Sequence, residues 1–135
     1  MGLVDLDYFK QVNDVYGHAV GDEVLVRTAD VLGRNIRSED TVGRWGGEEF
    51  MIILPHTEPG QAALVAEKIR EAVEFENFAK VGKRTASFGV TAFVDGDSEI
   101  TILARADRAL YLAKFKGRNR VVLDAQTPSK PAQKS

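Results

Sequence analysis

The sequence predicts an α/β fold, an α+β sandwich in which helices pack on one mostly antiparallel sheet. Short apolar β runs alternate with segments in which apolar residues recur every three or four positions, the period of an amphipathic helix. The resulting order is β-α-α-β-β-α-β-α-β, which is typical of layers packed around one core. The chain of 135 residues has the length of a single domain.

The first three elements are a strand and two helices. Residues 2–6 form an apolar run that only Asp5 interrupts. A strand that is apolar on both faces belongs in the middle of a sheet, so this strand is predicted to be central. A helix is expected over 8–15, and a longer amphipathic helix is expected to open at Gly21-Asp22.

A hairpin and a third helix follow. Two short β runs, 41–45 and 49–54, flank Gly46-Gly47, and this arrangement predicts a tight hairpin. The simplest interpretation of the two glycines is that the turn needs positive φ. Pro59 in a first turn indicates the start of the next helix.

The last elements are a strand, a helix and a closing strand. A β run over 85–94 precedes a polar turn. The following helix, about 100–116, is expected to end at Gly117 in a left-handed C-cap. Residues 121–123 are predicted to complete the sheet.

Composition distinguishes a folded domain from a tail and excludes several classes of function. One domain is expected over residues 1–124, and the tail over 125–135, without apolar runs, is expected to be disordered. The formal charge of −2 argues against nucleic-acid binding, and the absence of cysteine excludes disulfides and thiolate metal sites. No apolar run approaches the roughly 20 residues that cross a bilayer. A cytoplasmic domain without membrane contact is expected, in a parent protein that can itself be membrane-attached.

Acidic residues interrupt the predicted core. Asp5 lies in an apolar strand, where an ionised carboxylate is costly unless it is paired or binds a metal. If the hairpin lies beside this strand, Glu48 and Glu49 converge on Asp5, and such a cluster of hard oxygens suits Mg²⁺ or Mn²⁺. The alternatives are a strand-end acid facing solvent for Asp5 and a solvated turn for the two glutamates.

Several short blocks occur together and in order. They are Asp5-Leu6-Asp7-Tyr8-Phe9-Lys10, Asn13-Asp14, Gly17-His18, Gly21-Asp22, Arg44-Trp45-Gly46-Gly47-Glu48-Glu49-Phe50, Ser87-Phe88-Gly89-Val90, Ala106-Asp107-Arg108-Ala109-Leu110-Tyr111 and Lys114-Phe115-Lys116-Gly117-Arg118-Asn119. In this combination the chain resembles the GGDEF family of diguanylate cyclases, with Glu48 giving the GGEEF variant. Family domains begin with a helix and a further segment before the first strand. Met1 stands in their place, so a truncated N-terminus is expected.

The resemblance implies a palm-like fold and a reaction of bacterial second-messenger signalling. Two GTP would be condensed into cyclic di-GMP with release of pyrophosphate, in a two-fold homodimer, because one domain holds one GTP. Asp5 and Glu49 would bind Mg²⁺ with help from the main-chain carbonyl of Leu6. Glu48 would be a further metal ligand or would help to deprotonate the attacking 3′-hydroxyl.

The resemblance also implies a nucleotide site. Asn13 and Asp22 would hydrogen-bond the guanine edge. The β- and γ-phosphates would be held by three cationic side chains, those of Lys10, Lys114 and Arg118, and by the backbone around Tyr8 and Phe9. Gly46 and Gly47 would make room for the nucleotide. Without the resemblance, Lys114 and Arg118 have another interpretation, as cations that complement the dipole at a helix C-terminus.

A second ligand site is implied by Arg37 and Asp40. They form an RxxD pattern, the family's inhibitory site for cyclic di-GMP, five residues before the glycine pair. Lys68 falls where the family has a secondary arginine. Lysine supplies a charge but lacks the planar fork of the arginine guanidinium. The alternative for Arg37 and Asp40 is a surface ion pair. The alternative for the whole chain is a catalytically weak or inactive module that acts as a receptor for cyclic di-GMP or GTP.

Overall fold

A computed structural model describes residues 1–124, so the expected disordered tail lies outside the described residues. The helices are α1 (Phe9–Tyr16), α2 (His18–Arg34), α3 (Pro59–Phe75) and α4 (Glu99–Phe115). The strands are β1 (Gly2–Leu6), β2 (Thr41–Arg44), β3 (Glu49–Ile53), β4 (Asn77–Phe78), β5 (Gly82–Lys83), β6 (Ala86–Thr91) and β7 (Val121–Asp124). Among these residues, no helix has the length and apolarity that a membrane span requires.

The main sheet has the strand order β2-β3-β1-β6-β7, so the prediction of a central first strand is confirmed. All its pairings are antiparallel except that of β6 with β7. In this register Asp5 lies between Glu49 of β3 and Ser87 of β6. The mostly antiparallel α/β sandwich expected from the sequence is therefore present.

Helices cover both faces of the central strands. The larger core includes Phe50, Phe88, Leu32 and Ile69, which are fully buried between the sheet and the helices α2 and α3. On the other face, α4 packs directly on β6. A Cβ at Gly89 would lie 2.5 Å from a backbone oxygen of α4, so only glycine permits this close approach.

Three local predictions differ from the structure. The helix α2 begins at His18, so Gly21-Asp22 lies in its first turns and does not open it. The strand β6 ends at Thr91, where its amide bonds to the carbonyl of Met1, and the next carbonyl, that of Ala92, accepts a hydrogen bond from the Arg105 side chain. The two-residue strands β4 and β5 form a hairpin that is too short for a sequence period to reveal.

The interpretation of Gly46 and Gly47 as turn residues with positive φ is wrong. Neither glycine has positive φ, whereas Gly117 has φ +124 as predicted for a helix end. The loop runs from Trp45 to Glu48, long enough to reverse the chain without left-handed residues, and the Trp45 amide donates to the Glu49 carbonyl at 2.8 Å.

Candidate active site

Asp5 is a buried carboxylate with one unsatisfied oxygen. The residue is 3% exposed, which rules out a strand-end acid facing solvent. Its Oδ2 accepts a hydrogen bond from Nζ of Lys114, at the C-terminal end of α4. Among residues 1–124, Oδ1 has no hydrogen-bond partner although it is buried. Such an atom loses its hydration without compensation, which is costly in a site that binds nothing.

Glu48 and Glu49 are partly buried beside Asp5. Burial raises the pKa of both carboxyls, and the negative charge of Asp5 raises them further. The shifts indicate a site with too little positive charge for its acids, even with Lys114 opposing them.

These carboxylates fit a magnesium ion only with a further ligand. Across residues 1–124, no three acidic or imidazole side chains form a group with metal-ligand spacing, so the three carboxylates lie near one another without forming a complete ligand set. Mg²⁺ usually takes one or two protein carboxylates together with substrate phosphates and water. The unpartnered oxygen of Asp5 and its neighbour across the β1–β3 ladder, Glu49, supply that smaller set.

The loop with the two glycines leaves open space. A Cβ added at Gly46 or Gly47 would meet no atom within 4 Å. Arg44 fixes the loop by donating from Nη2 to the Gly47 carbonyl at 2.6 Å and from Nε to the Gly46 carbonyl at 3.4 Å. Neither backbone conformation nor internal packing requires glycine at these two positions. The absence of side chains there leaves room for a ligand to approach the loop.

The N-terminus of α1 is a ready site for an anion. Its N-cap, Tyr8, has the left-handed φ of 59°, and no side chain caps the helix. The first backbone N–H groups of a helix have no intrahelical acceptor and favour phosphate. The Phe9 side chain is 5% exposed and belongs to the core, so only its backbone can contribute to such a site.

The three predicted phosphate-binding cations occupy different surroundings. Lys114 is paired with Asp5, and the Arg118 guanidinium lies 4.8 Å from the centre of the Tyr8 ring. The Lys10 side chain is 86% exposed, with its ammonium 3.7 Å from Asp14. Lys114 therefore lies at the β1 carboxylate, Arg118 lies beside the N-cap of α1, and Lys10 extends from the first turn of α1.

The predicted guanine contacts lie at the junction of α1 and α2. The Asn13 side chain lies over Gly21, where a Cβ would be 1.9 Å from its Oδ1. Asp22 is the next residue and is exposed. A side chain at position 21 would force the Asn13 amide to shift, so Gly21 leaves room for it one residue before Asp22.

Sequence reasoning missed the role of Asp7. This carboxylate is 3% exposed and accepts hydrogen bonds from the hydroxyls of Thr85 (2.7 Å) and Ser87 (2.6 Å) and from the backbone N–H of Asn119 (3.0 Å). It ties the end of β1 to the start of β6 and to the loop after α4. The position of a second acid directly after a buried strand is the sequence signal that could have indicated this role.

The predicted inhibitory residues lie at the far end of β2. Arg37 donates to Asp40 from Nε (3.1 Å) and Nη2 (2.9 Å), and from Nη2 to the Thr57 hydroxyl (2.9 Å) and the Pro55 carbonyl (3.3 Å). The hydrogen bond from Arg37 holds the pKa of the Asp40 carboxyl below its usual range. The Arg37 side chain remains 51% exposed, whereas Asp40 is 2% exposed.

Lys68 is exposed on α3. Within the described part of the chain, neither an ion pair nor a hydrogen bond joins it to Arg37 or Asp40. The four residues of β2, about 13 Å of strand, separate this region from the glycine loop. The structure therefore brings Arg37 and Asp40 together, and the role of Lys68 stays a prediction.

Comparison with known proteins identifies the family that this chain resembles. The family model described as "Diguanylate cyclase, GGDEF domain" matches residues 2–120. Diguanylate cyclase A of Treponema denticola is 45% identical over 125 residues, which are 90% of this chain and 34% of the relative. Response regulator PleD of Caulobacter vibrioides is 44% identical over 126 residues, 89% of this chain and 28% of the relative. The chain thus spans about a third of the length of these curated relatives.

Solved structures agree with this assignment. The active GGEEF domain of a diguanylate cyclase from Vibrio cholerae has a TM-score of 0.85 at 38% identity, covering 93% of this chain and 82% of that one. The GGDEF domain of DgcB from Caulobacter crescentus, solved in complex with c-di-GMP, has a TM-score of 0.86 at 36% identity, covering 90% and 75%. The chain belongs to the GGDEF family of diguanylate cyclase domains.

Proposed function

We propose that the chain is a catalytic domain that condenses two GTP into cyclic di-GMP and releases two pyrophosphates. The observation that carries the proposal is the buried carboxylate of Asp5, whose Oδ1 has no partner among residues 1–124. It lies beside two glutamates with raised pKa and near a helix N-terminus without a side-chain cap. Carboxylates that need a cation and N–H groups that need an anion together suit a metal-bound triphosphate.

Asp5 and Glu49 would hold Mg²⁺ or Mn²⁺, with Glu48 and the Leu6 carbonyl as further ligands. The bound ion would stabilise charge on the α-phosphate and on the departing pyrophosphate. The protein's own part is to bury these carboxylates with too few donors, so that a cation relieves their repulsion. Lys114 now neutralises one oxygen of Asp5 and would be released toward the phosphates.

The triphosphate would lie along the N-terminus of α1. The backbone N–H groups around Tyr8 and Phe9 would bind phosphate oxygens, with charge supplied by Lys10, Lys114 and Arg118. Positioned cations and amides stabilise transferring phosphoryl groups without rearrangement during the reaction.

Guanine selectivity would come from the corner formed by Asn13 and Asp22. The Asp22 carboxylate can accept from the ring N–H and the exocyclic amino group of guanine. Adenine offers no matching pair of donors there, so its binding would leave the carboxylate unpaired. We expect ATP to be neither bound tightly nor turned over.

Glu48 is the candidate that accepts the proton of the attacking 3′-hydroxyl. A carboxylate whose pKa is raised by burial is a stronger base than an exposed one. General bases work best when their pKa lies near the ambient pH. The hydroxyl and the α-phosphate must come from different nucleotides. Two copies of the domain would therefore face each other across a two-fold axis.

The decisive experiment is product formation from GTP and Mg²⁺ by the purified chain. We expect cyclic di-GMP by chromatography, with a rate per mole of protein that rises with protein concentration as dimers form. Glu49→Gln should lower the rate by at least about a hundredfold, since a metal ligand contributes several kcal/mol. The exposed Glu58 is the matched control, and Glu58→Gln should leave the rate unchanged. A rate that Glu49→Gln does not change would refute this assignment.

A second candidate function is that of a receptor for cyclic di-GMP without turnover, and product inhibition would use the same residues. It is favoured by Arg37, whose guanidinium is oriented by Asp40 and Thr57 yet stays half-exposed. A planar guanidinium can bind phosphate or the O6/N7 edge of guanine. The relative solved with c-di-GMP supports a ligand of this class.

Calorimetry with cyclic di-GMP separates the two ligand sites. Arg37→Ala should abolish binding at the RxxD site, whereas Arg34→Ala, a control at an exposed arginine of α2, should not change it. Binding that survives Arg37→Ala would place the ligand in the active-site half. Binding without any product from GTP would favour the receptor over the cyclase.

A further inference from the structure

We infer that Asn119 is a positioning residue that fixes Arg118 at the phosphate end of the site. The inference rests on the proposed GTP site and concerns how one of its cations is held. It comes from the loop between α4 and β7, where three elements of the fold meet at a single asparagine.

The backbone of this loop is in an unfavourable conformation. Arg118 and Asn119 have φ values of 65° and 48°, so two consecutive residues other than glycine are left-handed. Residues with side chains keep such a conformation only where the surrounding structure imposes it. Asn tolerates it better than most, but Arg has no such advantage.

Three anchors on Asn119 impose the conformation. Its backbone N–H donates to Asp7 at 3.0 Å, and its Oδ1 accepts from Nη1 of Arg70 at 2.8 Å. Its Nδ2 donates to Glu74 at 3.2 Å. The anchors come from the end of β1 and from α3, so Asn119 joins the loop to two parts of the core.

The anchors themselves are rigid. Asp7 is buried and also holds the hydroxyls of Thr85 and Ser87. The Arg70 side chain is 13% exposed and is paired with Glu74 in addition to Asn119. An asparagine held by such groups has one orientation, and the residue before it has little freedom.

Arg118 benefits from this rigidity. Its backbone N–H donates to Ala113 at 2.9 Å, and its guanidinium lies over Tyr8, the N-cap of α1. Among residues 1–124, no acidic side chain pairs with this guanidinium, in contrast to Lys114 and Lys10. Its charge is therefore available, and its position is set before any ligand arrives, which reduces the entropy lost on binding.

Asn119 does not itself bind the nucleotide in this arrangement. Both polar atoms of its side chain and its backbone N–H are used by Arg70, Glu74 and Asp7. Its effect on a ligand must pass through Arg118, and this separates a positioning role from a direct contact.

The test is the affinity of Asn119→Gly for two ligands. Glycine adopts left-handed φ freely, so the variant removes the side-chain anchors without adding strain. With Mg²⁺, calorimetry would compare the α,β-methylene analogue of GTP, which cannot react, with GMP. We expect roughly tenfold weaker binding of the triphosphate, the size of one lost polar contact, and GMP affinity within about twofold of the wild type.

Two further variants complete the design. Asn35→Gly, at the C-terminus of α2, is the matched control and should change neither affinity. Asn119→Asp keeps the acceptor for Arg70 but faces Glu74 with a negative charge, so its triphosphate affinity should lie between those of the wild type and Asn119→Gly. A melting curve for each variant verifies that it is folded.

The decisive step is the same change in an Arg118→Ala background. If Asn119 acts through Arg118, Asn119→Gly should have no further effect on triphosphate affinity there. The inference is overturned if the loss persists in that background, or if GMP binding falls as much as triphosphate binding. A wild-type chain that binds neither nucleotide would instead reject the proposed GTP site, and the inference with it.

Discussion

Two acidic side chains buried near opposite ends of β6 differ in how they are satisfied. At the far end, Asp97 accepts four hydrogen bonds: two from Arg105, one from Thr101 and one from the Val94 amide. At the near end, Asp5 has Lys114 on one oxygen, and its other oxygen is without a partner in the described chain.

The fold therefore satisfies Asp97 completely, whereas it leaves one oxygen of Asp5 open for the ligand that we propose. The hydrogen bonds from Arg105 hold the pKa of the Asp97 carboxyl far below its usual range, so its charge is stabilised by the folded chain. Around Asp5 the shift is opposite, because burial raises the pKa of Glu48 and Glu49. A folded protein keeps such unsatisfied charge where function requires it.

Asp5→Asn gives the largest expected effect. Product formation should fall at least about a thousandfold, since the ion loses a ligand worth several kcal/mol in the transition state. The midpoint of thermal unfolding should hold or rise, because the variant removes a buried charge with an unsatisfied oxygen. Lys114, a third exposed, can extend into water. Chromatography and calorimetric melting on the same samples measure both.

Asp97→Asn is the matched control at the other end of the strand. It should lower the unfolding midpoint by about 10 °C, because Arg105 loses its partner in a buried pair. Product formed per folded molecule should stay within about twofold of the wild type, since Asp97 lies outside the proposed site. If Asp5→Asn lowers the unfolding midpoint as much as Asp97→Asn does, the distinction between a ligand-binding Asp5 and a structural Asp97 is wrong.

Low pH should destabilise the fold through protonation of Asp97. The folded-state pKa of Asp97 is depressed, so its contribution to stability is complete above the unfolded pKa, about 4, and is lost as the pH falls toward the folded value. Urea denaturation between pH 6 and pH 2.5 should therefore give a falling free energy of unfolding below about pH 5. Asp97→Asn should flatten part of that slope, with Asp40 and Glu67 retaining the rest. An unchanged slope in the variant would assign acid sensitivity elsewhere.

Much of the fold was predictable because local signals agreed with it. The apolar run of β1 indicated a central strand, and Pro59 marked the start of α3. The predicted hairpin at Gly46-Gly47 is also present, but its two glycines are explained by neither positive φ nor packing. A sequence that departs from its local structural rules at one loop is behaving as a binding site does.

The remaining features depend on contacts distant in sequence. The role of Asn119 depends on Arg70, 49 residues earlier, and on Asp7, 112 residues earlier, so no local pattern could reveal it. The pairing of Lys114 with Asp5 spans 109 residues and was invisible for the same reason. The resemblance predicts which charges belong to the site, whereas the partners of those charges require the tertiary structure.

Glu48→Gln gives the smallest expected effect on stability. The folded-state pKa of Glu48 is raised, so ionised Glu48 destabilises the fold, and this cost is fully present above the folded pKa and vanishes below the unfolded one. The variant should therefore raise the unfolding midpoint by about 2 °C at pH 8 and have no effect near pH 4. Glu39→Gln, at an exposed glutamate in the loop before β2, is the control and should give no such pH-dependent gain. A stabilising effect of Glu48→Gln that is equal at both pH values would mean that packing, and not the charge beside Asp5, is responsible.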